Sequence, residues 1–164
     1  MNTTVNKILK GASPEWMSFF VLFSRFEYAL KRNNYVQAVG RRGEVKADWD
    51  CFANDLGQEF LEQMRQESAV KVLICDPPKK QILENGQLKW SEKASKITSV
   101  QELFGAICLA RNNLFHGGKY PEGEEDDTSR ANDLLKDAMF ILNEALSRMH
   151  NIRFSFDELP QAFR

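Results

Sequence analysis

The chain has 164 residues, 43% of them hydrophobic and 27% charged, enough to bury the core of one domain without disulfide or metal staples. That balance excludes a disordered chain, a collagen and a disulfide-framework peptide. With 22 basic and 23 acidic residues the net charge is −1, which excludes a strongly basic nucleic-acid coat and leaves room only for a local basic patch.

The first helix is expected to start after Ser13, a good N-cap, with Pro14 at the first helical position and Glu15 near the positive end of the dipole. Its apolar face reads Trp16, Phe19, Phe20, Phe23, Phe26, Leu30, and it should end near Asn33 and Asn34. Gly40-Arg41-Arg42-Gly43 reads as a polar connection. A second helix is expected over about 46–67, where Trp49, Phe52, Ala53, Leu56, Phe60 and Met64 recur at helical spacing. Residues 70–74 form a short β-prone run, and Asp76-Pro77-Pro78 stops any helix. Asn85-Gly86, between Gln81 and Trp90, is the favoured two-residue hairpin turn. A small β excursion is therefore expected at about 70–91, inserted into an α domain.

The third helix should start at Thr98 or Ser99, each with a capping-box partner in Gln101 or Glu102. It should run to about Phe115, where Gly117-Gly118 ends it. An acidic loop follows, with Glu122, Glu124, Glu125, Asp126 and Asp127, and reads as solvated. A fourth helix over about 128–150 carries the stripe Ala131, Leu134, Leu135, Ala138, Ile141, Leu142, Ala145, Leu146 and Met149. Phe140 lies off that stripe and calls for cover from the C-terminal arm or a second subunit. Residues 151–164 are expected to return to the core as an irregular arm. The fold expected is mainly α, a single domain with about four main helices over 14–149.

Chemistry-bearing patterns are few. Cys51, Cys75 and Cys108 have no paired spacing, which argues against a disulfide scaffold or a zinc knuckle, and Cys108 falls on an apolar helix face. No glycine-rich phosphate loop, Ser-His-Asp array or metal-ligand spacing occurs, so neither metal nor cofactor is expected. The N-terminus lacks a signal-peptide apolar core, and the most apolar stretch, 16–23, is far short of the ~20 residues that span a bilayer. A cytoplasmic protein with no membrane contact is expected.

Two charges fall inside apolar stripes. At ~100° per residue, Glu27 lies between Trp16 and Phe20 on the first helix, and Arg111 lies between Val100 and Phe104 on the third. An unpaired buried charge is costly, so the two are expected to face one another. Either they form an ion pair that fixes helix register, or a carboxylate orients an active-site arginine. Five residues after Arg111 stands His116, one of only 2 histidines, followed by Gly117-Gly118 and Lys119, with Asn112 one turn before it. Arg, His, Asn and Lys near one helix end suit a phosphate group, although a lone terminal histidine is commonly a surface residue. His150 takes no role, and Arg41-Arg42 and Lys79-Lys80 read as solvated surface able to hold an RNA backbone.

Arg111-Asn112-x-x-x-His116, an arginine with a polar neighbour and a histidine four to six residues on, resembles the signature of the HEPN superfamily. The words RNNLFHGGK (111–119) and SRFEYALKR (24–32) are also similar to that family, and the Pro-Pro-Lys-Lys-Gln and Asn-Gly segment resembles a bacterial abortive-infection subgroup. The resemblance spans about 14–149. It implies an antiparallel helical bundle that forms a homodimer, with the two Arg–His motifs meeting in a cleft between subunits. It implies a metal-independent endoribonuclease, a toxin or phage-defence effector, or else a non-catalytic module that binds a nucleotide, RNA or a protein. Arg111 and His116 would be the catalytic pair, with Asn112, Glu27 and Lys119 supporting. One branch of the family carries, two residues after the histidine, a tyrosine that its antitoxin nucleotidylates. Here that position is Gly118 and Tyr120 comes later, a departure from that form of regulation.

Overall fold

The computed structural model describes residues 13–91, 96–115 and 125–158. Ser13 begins the first helix as expected. Its hydroxyl accepts the Glu15 amide at 3.2 Å, and Pro14, which has no amide to satisfy, opens helix α1, Pro14–Arg32. Asn33 ends the helix, its Nδ2 donating to the Ala29 carbonyl. The helix buries Phe19, Phe23, Phe26, Ala29 and Leu30. Phe20, expected in that stripe, is instead 43% exposed, on a face shared with Met17, Val21 and Tyr28.

The connection expected at 40–43 is the turn of a hairpin. Strands β1, Val36–Val39, and β2, Glu44–Ala47, pair antiparallel with Val36 opposite Ala47. Gly40 and Gly43 hold φ of +70° and +73°, which side chains disfavour. Seven of the eight strand residues lie outside the core, so no alternation of apolar and polar residues announced the pair.

The single helix expected over 46–67 is two. Helix α2, Trp49–Leu56, starts on the Asp48 carboxylate, which accepts the Cys51 amide at 2.9 Å. Gly57, at φ 77° and ψ 164°, turns the chain, and helix α3, Gln58–Gln66, follows. The apolar residues keep their spacing across the break, which is why the stripe looked continuous.

The run at 70–74 is helical, not extended. A 3-10 turn, Ser68–Val70, leads into helix α4, Lys71–Cys75. The carboxylate of Asp137, 64 positions away, accepts the Leu73 amide at 2.9 Å. A remote acceptor thus satisfies an N-terminal amide of a short helix, and tertiary context overrides β propensity. The expected β excursion therefore narrows to strands β3, Gln81–Glu84, and β4, Gln87–Trp90, around Asn85 and Gly86 at φ 52° and 77°. Arg130 fastens the segment before it, donating to Asp76 Oδ2 and to the Asp76 carbonyl, each at 2.9 Å.

Helix α5, Val100–Phe115, opens on the expected capping box. The Glu102 amide donates to Ser99 Oγ, and the Glu102 carboxylate accepts the Ser99 and Thr98 amides. These donors, the Thr98 amide foremost, hold the Glu102 carboxyl below its usual range. Helix α6, Glu125–Arg148, buries Leu134, Leu135, Ala138, Ile141, Leu142, Ala145 and Leu146. Phe140 is half-buried against the same core.

Residues 151–157 of the expected irregular arm are instead helical, in helix α7, His150–Asp157, which begins where Met149 breaks α6 at φ −105° and ψ 80°; residues 159–164 of the arm lie outside the described residues. Arg25 on α1 donates to the carbonyls of Ser155, Phe156 and Glu158, satisfying the acceptors that a helix C-terminus leaves unpaired. The described chain is thus mainly helical, with two small antiparallel hairpins. No helix among the described residues is long and apolar enough to cross a membrane.

Asp137 is buried, and desolvation raises its carboxyl above the ordinary value despite the Leu73 and Val72 amides. A pKa raised by folding means that the ionised form weakens the fold, so stability is gained as pH falls. The stability difference between wild type and Asp137→Asn should move in favour of wild type as pH is lowered from 7 toward the ordinary carboxylate range near ~4. Urea midpoints of both proteins across that range check this, and a shift in favour of the variant would contradict it.

Candidate functional site

Helices α1 and α5 bring Glu27 and Arg111 together. Arg111 Nη2 donates to Glu27 Oε1 at 3.2 Å, and its Nη1 donates to Asn112 Oδ1 at 2.9 Å. The guanidinium carbon lies 5.0 Å from the Phe23 ring centre and 5.9 Å from that of Phe115. Phe115 in turn lies 5.2 Å from Phe20 across the helix pair. Arg111 is therefore aimed by a carboxylate, an amide oxygen and two aromatic faces.

The pair is not sealed in the core. The side chains of Arg111 and Glu27 are 31% and 25% exposed. A guanidinium in that setting keeps donors within reach of solvent or of a ligand, and it contributes little to stability, about 0–1 kcal/mol for pairs of this kind. Fixed charge, a planar fork and partial exposure suit it to hold phosphate oxygens.

Neighbouring residues divide the work. Asn113 points inward, 8% exposed, and its Nδ2 donates to the Lys79 carbonyl at 2.8 Å, tying α5 to the Pro-Pro-Lys segment. Cys108 is half-buried, and desolvation pushes its thiol up to about 12, so it stays protonated at neutral pH and is no nucleophile. Of the expected site residues, Arg111, Asn112 and Glu27 lie in one cluster. His116 and Lys119 lie outside the described residues, as do Gly117, Gly118, Tyr120 and residues 122–124 of the acidic loop.

A groove of about 330 Å³ adjoins the pair on α1, lined by Ser24, Glu27, Tyr28, Lys31 and Arg32. Sequence reasoning missed it, because an exposed tyrosine beside two cations looks like any solvated helix face. Among the described residues no cluster of His, Cys, Asp and Glu could hold a metal ion. Searches against protein-family models, curated proteins and solved structures returned no match to this chain.

Proposed function

We propose that this protein is a HEPN-like, metal-independent endoribonuclease that acts as a homodimer. It would be a cytoplasmic toxin or phage-defence effector, controlled by an antitoxin or another component of a defence system. The observation that carries the reading is the partly exposed Arg111 guanidinium, held by Glu27, Asn112 and two aromatic rings in the last turns of α5. The sequence reaches His116 five residues later.

RNA brings its own nucleophile. The 2′-hydroxyl attacks the adjacent phosphorus, the O2′–P bond forms and the P–O5′ bond breaks, leaving a 2′,3′-cyclic phosphate and a 5′-hydroxyl. The protein must remove the 2′-hydroxyl proton, protonate the departing 5′-oxygen and stabilise charge on the phosphorane. An imidazole titrating near pH ~6.5 can make either proton transfer. Arg111 supplies the charge. A single chain offers only one histidine in this neighbourhood, whereas two copies meeting in one cleft offer an acid and a base.

The exposed apolar face of Met17, Phe20 and Val21, with Phe115 beside Phe20, supports an antiparallel bundle that pairs with a second copy along α1. Phe20→Asp should convert dimer to monomer and reduce cleavage along with it. Light scattering coupled to size exclusion reads the mass, and a wild-type monomer would contradict the dimer. The catalytic reading is tested by incubating RNA in EDTA with wild-type protein and with Arg111→Ala. Cleavage by the first and not the second is expected, and equal cleavage by both refutes it.

One observation favours a second reading. The net charge of −1 gives little general attraction for a polyanion. A protein that binds RNA or nucleotide without cleaving it would fit a non-catalytic module of the same family.

A further inference from the structure

We infer that the groove on α1 seats a nucleotide of single-stranded RNA flanking the cleaved bond, with Tyr28 stacking on its base and Lys31 and Arg32 meeting its phosphates. The inference rests on the ribonuclease reading and extends it from the reacting phosphate to the strand on one side of it.

Position comes first. Glu27 both lines the groove and accepts from Arg111, so the two features share a wall. All five lining residues stand on α1, so the groove is shallow and open along one helix face, suited to a strand lying across it rather than to an enclosed ligand. Lys31 and Arg32 follow Tyr28 by one helical turn, about 5 Å further along the axis.

Tyr28 is 41% exposed, yet its ring is held. The Arg25 guanidinium lies 4.8 Å from the ring centre, and Arg25 is itself fixed by the Ser155, Phe156 and Glu158 carbonyls of α7 and the residue beyond it. An aromatic fixed before binding loses less side-chain freedom when a base stacks on it. Such stacking is tolerant of sequence, as every base has a π-face.

The charges are disposed for a polyanion. Lys31 and Arg32, like most cations among the described residues, sit in no ion pair; what sets them apart is their place one turn beyond the exposed Tyr28 on the same face of α1. The single carboxylate in the groove, Glu27, is already matched by Arg111. An acidic peptide would satisfy the cations but would leave the held aromatic ring without a use, so nucleic acid fits the whole surface better. Met17, Phe20 and Val21 occupy the N-terminal half of the same face, so pairing of two copies there leaves the C-terminal half open to RNA.

The test is fluorescence anisotropy with a labelled, fully 2′-O-methylated single-stranded RNA, which cannot be cleaved, on the full-length chain. Tyr28→Leu should weaken binding about tenfold, and Tyr28→Phe, which keeps the ring, should bind as wild type. Lys31→Gln with Arg32→Gln should reduce the slope of log Kd against log salt by about 1.4, or ~0.7 for each phosphate that is no longer neutralised. Lys71→Gln with Lys136→Gln, two exposed cations on α4 and α6, should change neither. The inference is overturned if wild type does not bind, if Tyr28→Leu binds within about twofold of wild type, or if the Lys71 and Lys136 pair weakens binding as much as the Lys31 and Arg32 pair. Displacement by polyglutamate but not by single-stranded DNA also overturns it, in favour of an acidic protein partner. Because this RNA is inert, the outcome is independent of catalysis. Cleavage that persists in His116→Ala sinks the ribonuclease reading while leaving the binding result to be judged by itself.

Discussion

Replacing Phe104 with alanine is expected to destabilise the protein by about 3–5 kcal/mol, the usual range for a fully buried aromatic. Phe104 has no exposed surface. On α5, it stacks on Trp49 of α2 at 5.8 Å and on Phe60 of α3 at 6.1 Å, and meets Phe52 edge-on at 5.3 Å. Trp49 and Phe52 also contact Phe26 of α1, at 5.3 and 5.4 Å. One ring therefore joins three helices directly and a fourth through its neighbours: Phe52 and Phe60 touch it, and Phe23 and Phe26 reach it through Trp49. A loss of this size is a large part of the ~5–15 kcal/mol that holds a domain folded. Leu83→Ala, at a β3 position that is 75% exposed, should change stability by less than about 0.5 kcal/mol. Urea unfolding of both variants measures the contrast. A loss below about 1 kcal/mol for Phe104→Ala would show that the aromatic cluster is not the mechanical centre of the fold.

Arg111→Lys should lower the rate of RNA cleavage by about 10²–10³, as removal of one preorganised charge donor does in other enzymes. Lysine keeps the charge but not the planar fork that bonds Glu27 and Asn112 and that the proposed reaction needs for a phosphate. Stability should change by less than about 1 kcal/mol, because the pair is partly solvated. Glu27 is a positioning residue in this scheme. Glu27→Gln should lower kcat by about tenfold with KM little changed, since the guanidinium remains but loses the partner that aims it. Single-turnover cleavage and urea unfolding on the same preparations separate the two roles. A stability loss of several kcal/mol with unchanged specific activity would make Glu27–Arg111 a structural pin between α1 and α5.

Local chemistry was legible in the sequence where it is decided locally. Ser13 with Pro14, the Ser99–Glu102 capping box and the Asn85-Gly86 turn each act within a few residues, and each stands where the sequence places it. The pairing of Glu27 with Arg111 was legible too, because a charge inside an apolar stripe must meet a counter-charge. Elements settled by remote groups were not. The β-branched run at 70–74 is helical because Asp137 reaches across to it, and α7 is held at its C-terminal carbonyls by Arg25. The first hairpin escaped notice because its strands lie on the surface, and the break at Gly57 because the stripe resumes in phase after it. Tyr28, Lys31 and Arg32 carry no sequence signature. Their grouping shows only once α7 fixes Arg25 against the tyrosine ring.

The decisive measurement is the cleavage of a defined RNA, and of its all-deoxy counterpart, by wild type and His116→Ala in excess EDTA, with product ends read by mass spectrometry. Cleavage of RNA alone, by wild type alone, leaving 2′,3′-cyclic phosphate ends, is the predicted result. Equal cleavage by His116→Ala, cleavage of the deoxy strand, or activity that appears only on adding a divalent metal would contradict it.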